Sequence, residues 1–200
     1  GRRACAERVR ALDIHARVIR AIGRPEERFA EDALRMLRAI RFASVLEFTV
    51  DPATLSAIRD MAPRITKISA ERIQQELTLL LTESRRAGDG LKCLSDSGLL
   101  KFILPEVERM IGQEQPPEFH PEGDVFTHTV LMLNAMTHPS VPLAYAVLLH
   151  DVGKPATAKN AVEPDGSRRW RFHGHAKTGA EIAEQILKRL KLPNRDIEAA

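Results

Sequence analysis

Cysteine is nearly missing from this chain of 200 residues. Cys5 and Cys93 are the only two, too few and too far apart for a disulfide framework or a thiolate metal site, which predicts a reducing compartment. Long apolar runs are missing as well. No stretch approaches the length of a membrane span, and the first ten residues, GRRACAERVR, contain no apolar signal region, so neither a spanning helix nor a secretory leader is predicted. With 44% hydrophobic and 28% charged residues the composition excludes a disordered chain and is ample for one core or two small ones. We expect a globular cytoplasmic protein.

A large excess of charge is also lacking, but the net +3 hides an asymmetry. Residues 1–41 hold eleven Arg against six Asp or Glu, leaving +5 there and −2 in the remainder. The positive end is the candidate partner for phosphates. Within it, Arg28 to Ala43, RFAEDALRMLRAIRFA, predicts one amphipathic helix. At about 100° per residue, Ala30, Ala33, Leu34, Leu37 and Ile40 share one arc, and Arg28, Glu31, Asp32, Arg35, Arg38 and Phe42 gather opposite. Asp32 and Arg35 would be neighbours three residues apart, offering one fixed acceptor and one fixed fork of donors. Cytosine and adenine present an exocyclic amine beside an unprotonated ring nitrogen, whereas guanine and uracil present a ring N–H beside a carbonyl. An Asp and an Arg would satisfy the first pair and leave polar groups unpaired with the second. The competing reading is a solvated intrahelical ion pair worth a few tenths of a kcal/mol.

The whole sixteen-residue stretch, with VIRAIGRPEE before it, resembles the signature of the bacterial tRNA nucleotidyltransferase (CCA-adding enzyme) and poly(A) polymerase family. The resemblance implies a short strand and turn leading into a helix whose Glu-Asp-x-x-Arg element, here Glu31, Asp32 and Arg35 with Arg38 beside them, selects CTP and ATP. It implies Arg28 and Arg41 as RNA or phosphate contacts. In the family a head domain precedes this region and carries an Asp-x-Asp pair that holds Mg2+ for nucleotidyl transfer. No Asp-x-Asp occurs in this sequence. The chain is therefore expected to be a fragment of a longer enzyme, unable to polymerise nucleotides without its head domain.

Further along, Asp51 is placed to cap a helix beginning at Pro52, with Glu47 to Val50 as an extended lead-in. Ser69 is placed to cap AERIQQELTLLLTE, whose Ile73, Leu77, Leu80 and Leu81 form an apolar stripe. Gly88 and Gly90 are expected to break the chain before LKCLSDSGLL, and Gly98 to end that helix. ISAERI and SGLLKFILPE also look like family signatures, although capping and core packing account for their residues. The proline-rich IGQEQPPEFHPEG marks a boundary between units.

A second constellation follows. Val125 to Met136 predicts a helix carrying His128, and Leu143 to Val152 an apolar helix ending at His150 and Asp151, stopped by Gly153 and Pro155. An antiparallel hairpin can bring His128 alongside His150 and Asp151, a nitrogen and oxygen set suited to a borderline divalent metal. A lone helical His is more often a satisfied core residue. FHPEGDVFTHT with LLHDVGKP resembles the HD phosphohydrolase superfamily, in the form appended to some CCA-adding enzymes. That resemblance implies His128, His150 and Asp151 as ligands of Mg2+, Mn2+ or Ni2+, and Lys154 as a phosphate contact. The superfamily's fourth ligand, a later Asp, has no clear match in Asp165 or Asp196. His173 and His175, flanking Gly174 ahead of a helix over 177–190, could complete a second metal position or hold a phosphate; the alternative is a polar loop. Residues 160–171 suggest a hairpin with an Asp165-Gly166 turn and an Arg168 to Arg171 edge around Trp170.

The expected architecture is all-α: a helical neck and body bundle over residues 1–112, then a helical HD-type domain over 113–200, with at most short strands. The favoured function is part of a tRNA nucleotidyltransferase that adds or repairs the 3′-terminal CCA of tRNA. Its partners would be the tRNA 3′ end, CTP, ATP and a head domain, with no membrane. The alternative is a metal-dependent HD phosphatase or cyclic phosphodiesterase acting on RNA ends or nucleotides.

Overall fold

Polar side chains at Asp32, Asp51 and Asp124 help set where three of the described helices begin. The computed structural model describes residues 13–162, 166 and 168–200; Cys5 and Asp165, discussed above, lie outside them. Strand β1 (Val18–Ile19) pairs in parallel with β2 (Thr49–Val50). Between them run helix α1 (Pro25–Glu31) and helix α2 (Leu34–Leu46).

The expected single helix over residues 28–43 is therefore two. The Asp32 backbone is extended, at φ −150° and ψ 106°, and its Oδ1 accepts the Leu34 N–H at 3.0 Å. A short carboxylate that bonds a nearby backbone N–H competes with the helical ladder. The break rotates the two segments relative to each other. Phe29, Ala33, Leu34, Met36, Leu37, Ala39 and Ile40 are buried, while Ala30, expected inside, is exposed.

Helix α3 (Pro52–Met61) begins as expected, with the Asp51 side chain accepting from the Thr54 N–H. The lead-in is shorter than expected, because Glu47 adopts a left-handed conformation that ends α2. After a 3-10 turn over Ala62–Lys67, helix α4 (Ala70–Glu83) buries Ile73, Leu77, Leu80 and Leu81 as expected, but Ser69 makes no side-chain cap bond.

Helix α5 (Ala87–Asp96) contains both glycines that were expected to break the chain. They serve close packing instead. A Cβ on Gly88 would lie 2.0 Å from the Val130 carbonyl oxygen, and one on Gly90 would lie 2.5 Å from Ser44 Oγ. Gly98, at φ +72°, closes the helix as expected. Two short helices, α6 (Leu100–Ile103) and α7 (Pro105–Glu108), complete this half.

Asp124 caps helix α8 (Val125–Ala135) through the Thr127 N–H. Helix α9 (Val141–Leu149) ends one residue before His150, which caps it. Pro155 does not terminate that helix; it sits in the first turn of a short helix α10 (Lys154–Thr157), where its missing N–H is harmless. Strands β3 (Lys159–Val162) and β4 (Arg168–Arg171) form the expected antiparallel hairpin. Helix α11 (His175–Arg189) starts two residues earlier than the sequence suggests, and α12 (Asn194–Ala199) follows.

A single contiguous core runs from Phe29 to Leu192. Helix α5 packs on α8, and α4 on α9, so the two halves share buried surface. None of the helices among the described residues is long and apolar enough to cross a membrane. A bidentate pair from Arg189 to Glu106, at 2.6 and 2.8 Å, ties α11 to α7. Burial alone would raise the Glu106 carboxyl, but Arg189 outweighs it and holds the group below its usual 4.5. The stabilisation is thus full above that value and is lost as pH falls through the lower folded-state value. Arg189→Ala is expected to flatten this acid limb, measured as Tm against pH between 6 and roughly 3.

Candidate functional site

The break at Asp32 shapes the first site. Beside it opens a cleft of about 490 Å³, lined by Arg20, Arg28, Arg35, Arg38 and Phe42 among others. Arg35 donates to Glu31 Oε2 at 2.5 Å, and Arg28 donates to both Glu31 oxygens at 3.1 and 3.2 Å. These bonds from Arg35 and then Arg28 hold the Glu31 carboxyl below the usual carboxylate range. Glu31 thereby fixes two guanidinium groups at the cleft wall.

Asp32 is turned differently from the expectation of one helical face. Its Oδ2 pairs with Arg72 of α4 at 2.8 Å, and it is not among the residues lining the cleft. Burial would raise its carboxyl, but the Arg72 and Leu34 bonds win and lower it. Arg41 is also spent elsewhere. It donates to Glu76 at 2.6 Å and lies over the Phe42 ring, 3.9 Å from its centroid. Phe42 falls on the polar face by its helical spacing. As an exposed ring flanked by Arg38 and Arg41 it offers a stacking surface, a role signalled by its spacing of four from Arg38.

The second site gathers around the end of α9. Ligand atoms of His128, His150 and Asp151 all lie within 4.8 Å of one another, and so do those of His120, Glu122 and His128. His150 Nε2 is 3.1 Å from Asp151 Oδ2, while its Nδ1 is 2.8 Å from the Val147 carbonyl oxygen. A carbonyl only accepts, so that Nδ1 carries a proton, while Nε2 faces the Asp151 carboxylate and must leave it to ligate an ion. Burial would depress this imidazole, but Asp151 and Val147 outweigh it and raise its pKa. For Asp151 burial pushes upward, and His150 and Lys154 together bring the group well below the usual carboxylate range.

Lys154, expected at a phosphate, is buried; its ammonium binds Asp151 Oδ2 and Gln115 Oε1, both at 2.7 Å. His120 and Glu122, which no periodicity in the sequence marks, come from the proline-rich loop. Both His120 and His128 place Nδ1 on Glu122 Oε1, at 3.1 and 2.5 Å. The Glu122 carboxyl is lowered to about 2, first by its own backbone N–H and then by His120. Neither His173 nor His175 belongs to these groups. His173 is exposed, and His175 Nδ1 is 2.8 Å from the Phe172 carbonyl. Asp196 pairs with Arg195. The hairpin edge is engaged by the loop: Trp170 donates to Glu114, and Arg169 lies over Phe119 and beside Glu118.

The donor chemistry fits a divalent ion. Two imidazole nitrogens and a carboxylate oxygen are the N/O set such ions take, and both histidines have the opposite nitrogen occupied by an oxygen. Asp151 already has Lys154 as a counter-cation, so an ion must compete with that ammonium or use the other oxygen.

Two family models match. Residues 47–111 match "Probable RNA and SrmB- binding site of polymerase A", and residues 125–200 match the HD domain. Over 197 residues the chain is 40% identical to an A-adding tRNA nucleotidyltransferase of Deinococcus radiodurans, covering 94% of this chain and 44% of that protein. A solved structure of the Bacillus stearothermophilus CCA-adding enzyme in complex with CTP superposes with a TM-score of 0.59 at 27% identity, over 93% of this chain and 37% of that one. A tRNA-processing enzyme in an apo form shares the fold, with a TM-score of 0.57 at 17% identity, covering 94% and 45%. The chain thus spans less than half the length of the relatives it matches. A polymerase A segment followed by an HD domain, with this identity across nearly all of its length, makes the chain similar to part of the tRNA nucleotidyltransferases.

Proposed function

We propose that this chain is the nucleotide-selecting neck and RNA-binding body, residues 1–112, and the HD domain, residues 113–200, of an enzyme that adds nucleotides to the 3′ end of tRNA. The observation that carries this reading is the cleft in which Arg28, Arg35 and Arg38 converge beside Phe42. Phe42 offers its face to a base, and Arg28 and Arg38 answer the phosphates. Arg35 exchanges Glu31 for the ring nitrogen of cytosine or adenine, while Asp32 releases Arg72 and accepts from the exocyclic amine. Arg41, held on Glu76, supports the Phe42 ring. CTP and ATP are the nucleotides this pattern admits. The metal-dependent transfer step needs paired carboxylates that hold Mg2+, and these 200 residues supply no Asp-x-Asp pair.

Competition between CTP and UTP tests the reading, using the chain joined to its catalytic head. Asp32→Ala is expected to remove the preference for CTP over UTP, and Arg35→Ala to weaken both CTP and ATP. Unchanged selectivity in the first variant overturns the template role of Asp32.

A second reading rests on His128, His150 and Asp151: hydrolysis of a phosphomonoester or cyclic phosphodiester at an RNA end. A divalent ion there, Mg2+, Mn2+ or Ni2+, would polarise the phosphoryl group and lower the pKa of a bound water. His128 and His150 would hold it through Nε2 and Asp151 through a carboxylate oxygen, while Lys154 keeps the remaining charge neutralised. Turnover of a chromogenic phosphoester by the purified chain with added Mn2+ or Ni2+, lost in Asp151→Ala, is the expected result.

A further inference from the structure

The loop ahead of α8 holds a group that neither reading uses. We propose that Glu122 is a positioning residue for the HD centre, fixing the tautomer and ring orientation of His128 so that Nε2 faces His150 and Asp151. The inference rests on the second reading above.

Glu122 Oε1 is 2.5 Å from His128 Nδ1, and 3.1 Å from His120 Nδ1. An ionised carboxylate can only accept, so both imidazoles carry their proton on Nδ1. For His128 the nitrogen left with a lone pair is Nε2. At His150 the Nδ1 is likewise held by an oxygen, the Val147 carbonyl, although its Nε2 also meets Asp151 Oδ2. Each histidine thus has its Nδ1 proton held by an oxygen, one from a helix carbonyl and one from a loop carboxylate, but only His128 has its Nε2 clear of a carboxylate hydrogen bond. Oxygen acceptors behind ligating histidines set the ring and raise its basicity.

The loop is itself anchored, which a positioning role requires. The Val125 N–H bonds the Gln113 carbonyl, and Asp124 Oδ2 accepts from the Gly112 N–H at 2.6 Å. Gln115, buried beneath the loop, donates to the Gly123 carbonyl and accepts from Lys154. One residue therefore connects the loop that carries Glu122 to the ammonium that neutralises Asp151.

The test uses the purified chain and Ni2+ as the probe. Calorimetric titration of Glu122→Ala should show Ni2+ affinity reduced about 10- to 100-fold, with the one-site stoichiometry of the wild type kept. In the metal-free chain, nitrogen-15 NMR should show the His128 proton moving from Nδ1 to Nε2. Glu122→Gln retains a carbonyl oxygen, so it should restore the Nδ1–H tautomer and most of the affinity. An unchanged tautomer and affinity in Glu122→Ala overturns the inference. A wild type that binds two ions, reduced to one in Glu122→Ala, also overturns it by making Glu122 a ligand. Absence of Ni2+ binding by the wild type sinks the HD reading itself, and the inference with it.

Discussion

Gly88→Ala should lower the stability of the chain by about 3 kcal/mol, the upper part of the range for forced overpacking. Helix propensity alone argues the opposite: Ala in a helix interior is favoured over Gly by about 1 kcal/mol. Packing decides the sign. The added methyl would sit 2.0 Å from the Val130 carbonyl oxygen and 2.8 Å from its carbon, and a backbone carbonyl inside α8 cannot rotate away. Helix α5 must then separate from α8, opening the contact between the two halves of the chain. For a chain of this size, 3 kcal/mol corresponds to a fall in Tm of about 6 to 12 °C. Gly90→Ala makes the comparison, because the nearest atom there is Ser44 Oγ, the tip of a rotatable side chain. A smaller loss is expected at Gly90, and equal losses would show that close approach to α8 is not the cause.

Lys154→Met should cost a similar amount in the metal-free chain, about 3 kcal/mol, because it leaves a buried carboxylate without its ammonium. Asp151 and Lys154 are 5% and 7% exposed, so water cannot take the place of the lost charge. Gln115 Oε1 loses its donor in the same step. The sign then depends on metal: a divalent ion restores a positive charge beside Asp151, so added Mn2+ should recover much of the lost Tm in Lys154→Met while shifting the wild type less. Thermal melts of both chains with and without Mn2+ measure this. A metal-free variant as stable as the wild type would mean that the Asp151 charge is satisfied by His150 alone.

The elements whose signals are local are readable in the sequence. Asp51 ahead of Pro52, the stripe at Ile73, Leu77, Leu80 and Leu81, Gly98 as a terminator and the hairpin near residue 160 each depend on neighbours within one or two turns. His150 and Asp151 were legible because they are adjacent. The signals that failed are those in which a local preference competes with something distant. Gly88 and Gly90 read as breakers on propensity, yet they lie inside α5 where α8 and Ser44 approach. Asp32 read as a helix-face residue, yet it bonds the Leu34 N–H and an arginine forty residues away. His120 and Glu122 sit in a proline-rich loop without periodicity, so no pattern marked them.

By itself the sequence determined an all-α chain with at most short strands, and the residue types available for two kinds of chemistry. Periodicity, caps and motif spacing are properties of short stretches, and they act before the chain is folded. Only the tertiary structure decided which charges meet: Arg35 with Glu31, Asp32 with Arg72, Lys154 with Asp151, Glu122 with His128. Pairings between Asp32 and Arg72, or between Lys154 and Gln115, depend on how helices and loops far apart in sequence pack, and hydrogen bonding selects partners by angstroms that no spacing along the chain specifies.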